Sequence, residues 1–362
     1  MGAALALAER GRGRTAPNPN VGCVIVDDAG RVVGRCWTQP GGRPHAEAMA
    51  LAEAGERARG ATAYVTLEPC AHVSTRGPAC SDSLIAAGVT RVVAGIEDPD
   101  PRTAGSGFAR LREAGVAVTA GVRAEDARRS MAGFLTRLAL GRPFVTLKLA
   151  TSLDGCIAMA DGTSRWITGA ESRAHAHLER SRHEAILVGR GTYEADAPRL
   201  DVRLPGLEER SPERVILSTR PHPSGAARLP PSPAGRGKML LKAAKGEGGW
   251  LSIPSPQAII DLPADHLLVE GGAQTAAAFL RADLVDRLLL YRAPILIGGG
   301  KPGIADVGLS DLSAAHGRWR LADARRLGVD RLEVYERASC LPASSPTSAP
   351  SAASNSAATR ES

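Results

Sequence analysis

Thr66-Leu67-Glu68-Pro69-Cys70-Ala71-His72, followed by Gly77-Pro78-Ala79-Cys80, is the stretch on which the reading of this chain turns. The run Ala63–Leu67 is apolar and reads as a buried strand, so Cys70 sits just past a strand end. Nine residues separate it from Cys80, which opens the next helical run. Upstream, His45-Ala46-Glu47 follows Pro44 at a helix start. One His and two Cys supply three ligands for zinc and leave a fourth tetrahedral position to water, the mark of a catalytic rather than a structural site. Zinc brings the pKa of such a water to about 7, and Glu47 is the residue to carry its proton to a leaving amine. A helix N-terminus also favours thiolate over thiol. Residues two apart do not share a helix face. His45 and Glu47 therefore converge only if both stand in the very first turn, with His45 near the cap, a placement that Pro44 supports. An isolated His-x-Glu, or one Cys at a strand end, signifies little; the combination is specific.

Composition sets the surroundings. The chain has 362 residues, enough for two or three domains. Apolar residues make up 43 %, an ordinary globular level, and aromatics only 3 %. Cores must be built from Val, Leu, Ile and Ala, and a base-stacking platform for single-stranded nucleic acid is disfavoured. No stretch nears the ~20 apolar residues of a spanning helix, and the start lacks a signal-peptide pattern. A cytoplasmic protein with no membrane partner is expected. The net charge is +7, mostly scattered Arg without a Lys/Arg-rich run. A solvated surface is the plainer account of it, and a taste for anionic small molecules the functional one. Six cysteines are too few for a disulfide scaffold at this length. Cys23, Cys36 and Cys156 read as core or strand thiols, and Cys340 lies in the tail.

Strand and helix patterns alternate through 120, a helical connector follows over 124–140, and a second alternating unit starts at Phe144. This divides the chain into 1–121, a connector helix at 122–142, 143–337, and a Ser/Ala/Pro tail at 338–362 that reads as disordered. The Pro- and Gly-rich 220–249 reads as a long surface loop.

His-x-Glu, Pro-Cys and a second Cys resemble the zinc-deaminase signature, except that the usual spacing between the cysteines is two residues. With Gly13-Arg14-Thr15-Ala16-Pro17-Asn18-Pro19-Asn20-Val21-Gly22 and Asp98-Pro99-Asp100-Pro101, the sequence resembles the bifunctional deaminase–reductases of riboflavin biosynthesis, in which the cysteines are widely spaced. The resemblance covers about 14–336. It implies an α/β chain: an N-terminal cytidine-deaminase-like three-layer domain and a C-terminal dihydrofolate-reductase-like domain. It also implies zinc on His45, Cys70 and Cys80, Glu47 as proton carrier and Asn18 in a pyrimidine pocket. His72 is rejected as a fourth ligand, because it would displace the reactive water.

In the second half no Gly-x-Gly-x-x-Gly follows a strand, which argues against an ordinary dinucleotide fold. Glu270-Gly271-Gly272 between a strand and a helix lets backbone N–H groups approach a pyrophosphate. The resemblance extends over Phe144–Arg203. It implies NADPH contacts at Ala150, Trp166, Thr192, Asp196, Thr219 and Gly272, and substrate contacts at Ser164, Arg180, Leu200, Arg203 and Glu270. Two arginines suit a ribose phosphate. Lys148, mid-strand among apolar residues, is expected near the ribose or nicotinamide. The implied partner is a small phosphorylated pyrimidine, not nucleic acid, and a homo-oligomer is expected. Two rivals stay open at this point: a zinc deaminase of nucleic-acid bases, and a non-catalytic zinc scaffold, for which Glu47 would be superfluous.

Overall fold

The computed structural model describes residues 1–72, 77–220, 227–228 and 249–338. The tail beyond 338 and most of the 220–249 loop lie outside the described residues.

Two sheets organise the chain. The first has five strands: β1 (Gly22–Val26), β2 (Val32–Trp37), β3 (Thr62–Leu67), β4 (Arg91–Ile96) and β5 (Ala117–Thr119), in the order β2-β1-β3-β4-β5. β1 pairs antiparallel with β2 and β3, while β3, β4 and β5 run parallel. Glycines show which helix covers which face. A Cβ on Gly22 would strike the Ala4 carbonyl of α1 (Gly2–Gly11), at 1.9 Å, and one on Gly34 the Ala50 carbonyl of α2 (Ala46–Ala54), at 2.1 Å. Gly34 pairs with Ile25, an odd step from Gly22, so the two glycines look to opposite faces. α1 and α2 therefore sandwich the sheet. α3 (Cys80–Ala86) and α4 (Ser106–Glu113) continue the α2 layer. α5 (Ala124–Ser130) joins α1 on the other face, where Gly95 approaches Ala127. The result is the expected three-layer arrangement, with a core of Val, Ile, Leu and Ala plus Phe108.

The connector is two helices rather than one. α5 ends at Ser130 and α6 (Ala132–Leu140) begins after Met131, whose φ −100 and ψ 19 interrupt the helix. Met131 is sealed in the first core, whereas Gly133 lies against His266 of the second sheet so closely that a Cβ would meet the ring at 2.3 Å. The break lets adjacent residues serve different cores.

The second sheet has nine strands. In chain order they are β6 (Phe144–Thr151), β8 (Ala185–Gly189), β9 (Glu213–Leu217), β10 (Ala227–Arg228), β11 (Trp250–Ile253), β12 (His266–Val269), β13 (Arg287–Arg292), β15 (Trp319–Leu327) and β16 (Asp330–Arg337). A separate pair joins β7 (Cys156–Ala158) to β14 (Lys301–Pro302). The nine stand as β10-β11-β9-β8-β12-β6-β13-β16-β15, parallel as far as β13 and antiparallel at the β16–β15 end. Its central strands are apolar on both faces. In β8, Ala185 and Leu187 enter one core, and Ile186 and Val188 the other. Helices α7 (Ala170–Arg180), α8 (Arg190–Asp196) and α9 (Ala273–Arg281) complete the unit. β15 carries Leu, Ala and Arg, residues that favour helices, and is a strand because it pairs with β16 from Trp319 to Leu327. Among the described residues no helix is long and apolar enough to cross a membrane.

Candidate functional site

Three elements of the first layer deliver one cluster. His45 is the N-cap of α2, still extended at φ −70 and ψ 159, and Glu47 falls in the first turn. That is the geometry required for His45 and Glu47 to converge. Cys70 follows β3, and Cys80 is the first residue of α3. His45 Nδ1 lies 3.3 Å from Cys80 Sγ and 3.6 Å from Cys70 Sγ. All three ligand atoms fall within 4.8 Å of one another. One imidazole nitrogen and two thiol sulfurs at such spacing suit a tetrahedral zinc ion and leave one position open. His72 stands outside the cluster.

Electrostatics favour the same chemistry. The Cys80 thiol and backbone N–H both donate to Cys70, the latter at 3.4 Å, and pull its pKa well below the ordinary thiol value. Cys80 is pushed up by that shared proton and by burial. Glu47, 3 % exposed, has its pKa raised by burial and lies in hydrogen-bond reach of Cys80. The Asn18 amide sits 3.2 Å from His45 Nε2 and donates to the Gly42 carbonyl at 2.7 Å, so it steadies the His45 ring from the far side. A cavity of ≈ 250 Å³ lined by Arg43, His45, Gly77, Pro78, Cys80 and Ser83 opens onto the cluster. Asp98, after β4, is raised to about 6 by burial and by the negative charges of Asp100, Glu68 and Cys70. A second cavity, at the connector, is lined by Arg129, Asp286, Arg287 and Glu336 and lies away from both sets of site residues. Its arginines are paired with its carboxylates.

Several of the second-half residues stand at one end of the sheet. β6, β8, β9 and β12 run parallel, so their C-terminal ends open on the same side, where ligands of open α/β sheets bind. Ala150 and Lys148 stand near the end of β6, Thr192 just past β8, Thr219 just past β9, and Glu270-Gly271-Gly272 directly after β12. The Gly272 N–H donates to Thr192 Oγ1 at 3.3 Å. Thr275 fills the space that side chains on Gly189 and Gly271 would take; the Gly-Gly pair was the visible signal for it. Glu270 accepts from Arg180 Nε and Nη2 at 2.8 and 3.0 Å and faces Lys148 Nζ at 3.7 Å. Burial alone would raise the Glu270 pKa, but Arg180 and Lys148 outweigh it and hold it at about 2. Arg180 also donates to the Asp201 carbonyl at 3.0 Å, so most of its fork is already engaged. Arg203 is the more exposed arginine; its guanidinium reaches Asp201 Oδ1 at 2.6 Å and its backbone N–H donates to His177 Nδ1 at 3.3 Å. The Leu200 side chain is buried in the cluster of Ile186, Val188 and Trp250. Ser164, Trp166, Asp196 and Thr219 are exposed. The Arg173 guanidinium lies 4.6 Å from the centre of the Trp166 ring. Glu68, in the sequence only one member of a motif, is buried and accepts four backbone N–H groups.

Comparison with known proteins covers both halves. Residues 1–96 match the family model for the cytidine and deoxycytidylate deaminase zinc-binding region, and 143–242 with 259–332 match that of the RibD C-terminal domain. The riboflavin biosynthesis protein RibD of Escherichia coli is 40 % identical over 358 residues, covering 91 % of this chain and 96 % of its own. Aquifex aeolicus RibD is 37 % identical over 93 % and 97 %. Among solved structures, Acinetobacter baumannii RibD aligns with TM-score 0.78 at 36 % identity, covering 93 % of this chain and 97 % of that one. A Thermotoga maritima diaminohydroxyphosphoribosylaminopyrimidine deaminase/5-amino-6-(5-phosphoribosylamino)uracil reductase aligns with TM-score 0.78 at 32 % identity and the same coverage. A zinc-deaminase domain followed by a reductase domain, shared with these proteins across nearly the whole length, makes this chain a member of the RibD family of bifunctional riboflavin-biosynthesis enzymes.

Proposed function

We propose that the chain catalyses two successive steps on one phosphorylated pyrimidine. The first removes the 2-amino group of 2,5-diamino-6-(ribosylamino)pyrimidin-4-one 5′-phosphate as ammonia. The second reduces the ribosyl group to ribityl with NADPH. The observation that carries the reading is the convergence of His45, Cys70 and Cys80 with Glu47 buried in the same turn as His45.

His45, Cys70 and Cys80 would hold zinc, which supplies a Lewis acid that makes a water acidic at neutral pH. Glu47 would take a proton from the attacking water as its oxygen adds to the ring carbon bearing the amine. With its pKa raised, Glu47 then hands the proton to the amine nitrogen. The C–N bond breaks and ammonia leaves. Asn18 orients His45 beside the pyrimidine pocket assigned to it.

In the second half NADPH, when bound, would supply a hydride. Ala150, Trp166, Thr192, Asp196, Thr219 and Gly272 are assigned to the cofactor, and Lys148, Ser164, Arg180, Leu200, Arg203 and Glu270 to the substrate. Glu270 fixes Arg180 and Lys148 beside each other, so Lys148 is presented to the ribose at a set distance. Lys148 and Arg180, held by Glu270, would place C1′ of the ribose for reduction and leave its ring oxygen free to take up a proton. Arg203, with its exposed fork, is assigned to the phosphate. A cytoplasmic location and a homo-oligomeric assembly go with this reading. The test supplies the diamino-pyrimidine phosphate with NADPH and follows ammonia and cofactor absorbance together. Both should change in sequence; ammonia without NADPH oxidation, or the reverse, would remove one of the two steps.

A further inference from the structure

We propose that Glu68 is a positioning residue for deamination, which fastens the Asp98–Gly105 loop and the N-terminus of α4 against the strand end that carries Cys70. The proposal rests on the deaminase reading of the site. Glu68 is 2 % exposed. Its Oε1 accepts the N–H groups of Gly107 and Phe108 at 2.8 and 3.1 Å, and its Oε2 those of Asp98 and Gly105, both at 3.0 Å. Gly105 is the N-cap of α4, with φ +81 and no capping side chain of its own. The orphan amides of this helix are therefore capped from a carboxylate 37 or more residues earlier in the chain. A second contact binds the same pieces. A Cβ on Gly107 would lie 2.0 Å from the Pro69 carbonyl oxygen, so α4 touches the residue between Glu68 and Cys70. The loop so held carries buried Asp98, whose Oδ1 accepts the Asp100 N–H at 2.9 Å. Glu68 thus fixes where that loop and the start of α4 stand against the strand end that carries Cys70.

Only a carboxylate serves all four donors. A Gln offers one acceptor oxygen, and its NH₂ group would confront the other two N–H groups. Glu68→Gln therefore releases either the loop or the helix start. Gly107→Ala moves α4 off Pro69 while leaving the charge intact. Each variant is assayed for zinc content, for deamination, and for reduction of the already deaminated compound. Expected are full zinc, unchanged reduction, and a deamination KM raised about tenfold or more with kcat changed much less, the pattern of lost substrate binding. Loss of zinc, a parallel fall in reduction, or a fall in kcat at unchanged KM would overturn the positioning role, and so would an unaltered KM in both variants. If Glu68→Gln does not fold, Gly107→Ala decides by the same criteria. Absence of deamination in the unaltered protein removes the functional reading, and this proposal with it.

Discussion

Glu270→Gln removes the negative charge between Arg180 and Lys148 while keeping the side chain's size. In the native chain the carboxylate is 10 % exposed and the two cations 14 % and 20 %, so solvent screens little of the interaction. The Glu270 pKa lies at about 2 against an ordinary 4.5. At about 1.4 kcal/mol for each tenfold change in proton affinity, that difference is worth about 3 kcal/mol of stability. It agrees with the roughly 3–5 kcal/mol that breaking a buried ion pair costs. Because the folded value lies below the ordinary one, this contribution is complete above pH 4.5 and fades as the pH falls towards 2. The variant should thus be less stable than the parent by about 3 kcal/mol at pH 7, and by only about 2 kcal/mol at pH 3.5. Three of the four tryptophans, Trp166, Trp250 and Trp319, lie after Phe144, so their fluorescence during guanidinium unfolding reports on this half. Reduction should fall with the lost alignment of Lys148, while deamination stays. A stability difference below about 1 kcal/mol at pH 7, or one that does not shrink on acidification, would refute the reasoning.

Other outcomes follow from the same contacts. Cys80→Ser should lose most of its zinc on metal analysis; full occupancy would mean a different ligand set. Glu47→Gln should retain zinc and lower deamination by roughly 10²–10⁴-fold, while reduction of the pre-deaminated compound survives, since every residue assigned to it lies after Phe144. Abolished reduction in a folded Glu47→Gln protein would contradict two separate sites. Arg203→Ala should weaken binding of the phosphorylated substrate by about 1.5–3 kcal/mol and leave its dephosphorylated analogue almost unaffected; equal losses would exclude a phosphate contact.

The convergence of His45, Cys70 and Cys80 was foreseeable in the linear chain because the chemistry expected of them admits few residue types. Thiols and an imidazole at strand ends and helix starts mark themselves, and the requirement that His45 and Glu47 share a first turn could be stated from helix geometry alone. The buried strands were legible for a similar reason: a strand covered on both faces, such as Ala185–Val188, has no polar residue to blur its pattern. Where a segment's state depends on its neighbour, the linear pattern falls silent. Trp319–Leu327 is exposed along much of its length and rich in Ala, Arg and Leu, and only pairing with Asp330–Arg337 makes it a strand. The break at Met131 likewise comes from the need to serve two cores. Lys148, Arg180 and Glu270 could be chosen singly, but that Glu270 occupies most of the Arg180 fork, and so leaves Arg203 the freer arginine, depends on contacts spanning 90 residues. Glu68 shows the limit most sharply: beside Cys70 it looks like motif filler, and its four amide partners lie 30 to 40 residues away. Residue type and local period determine which groups can do chemistry and which segments are buried. Long-range backbone hydrogen bonds and close packing decide which groups meet, because those contacts exist only after the chain has folded.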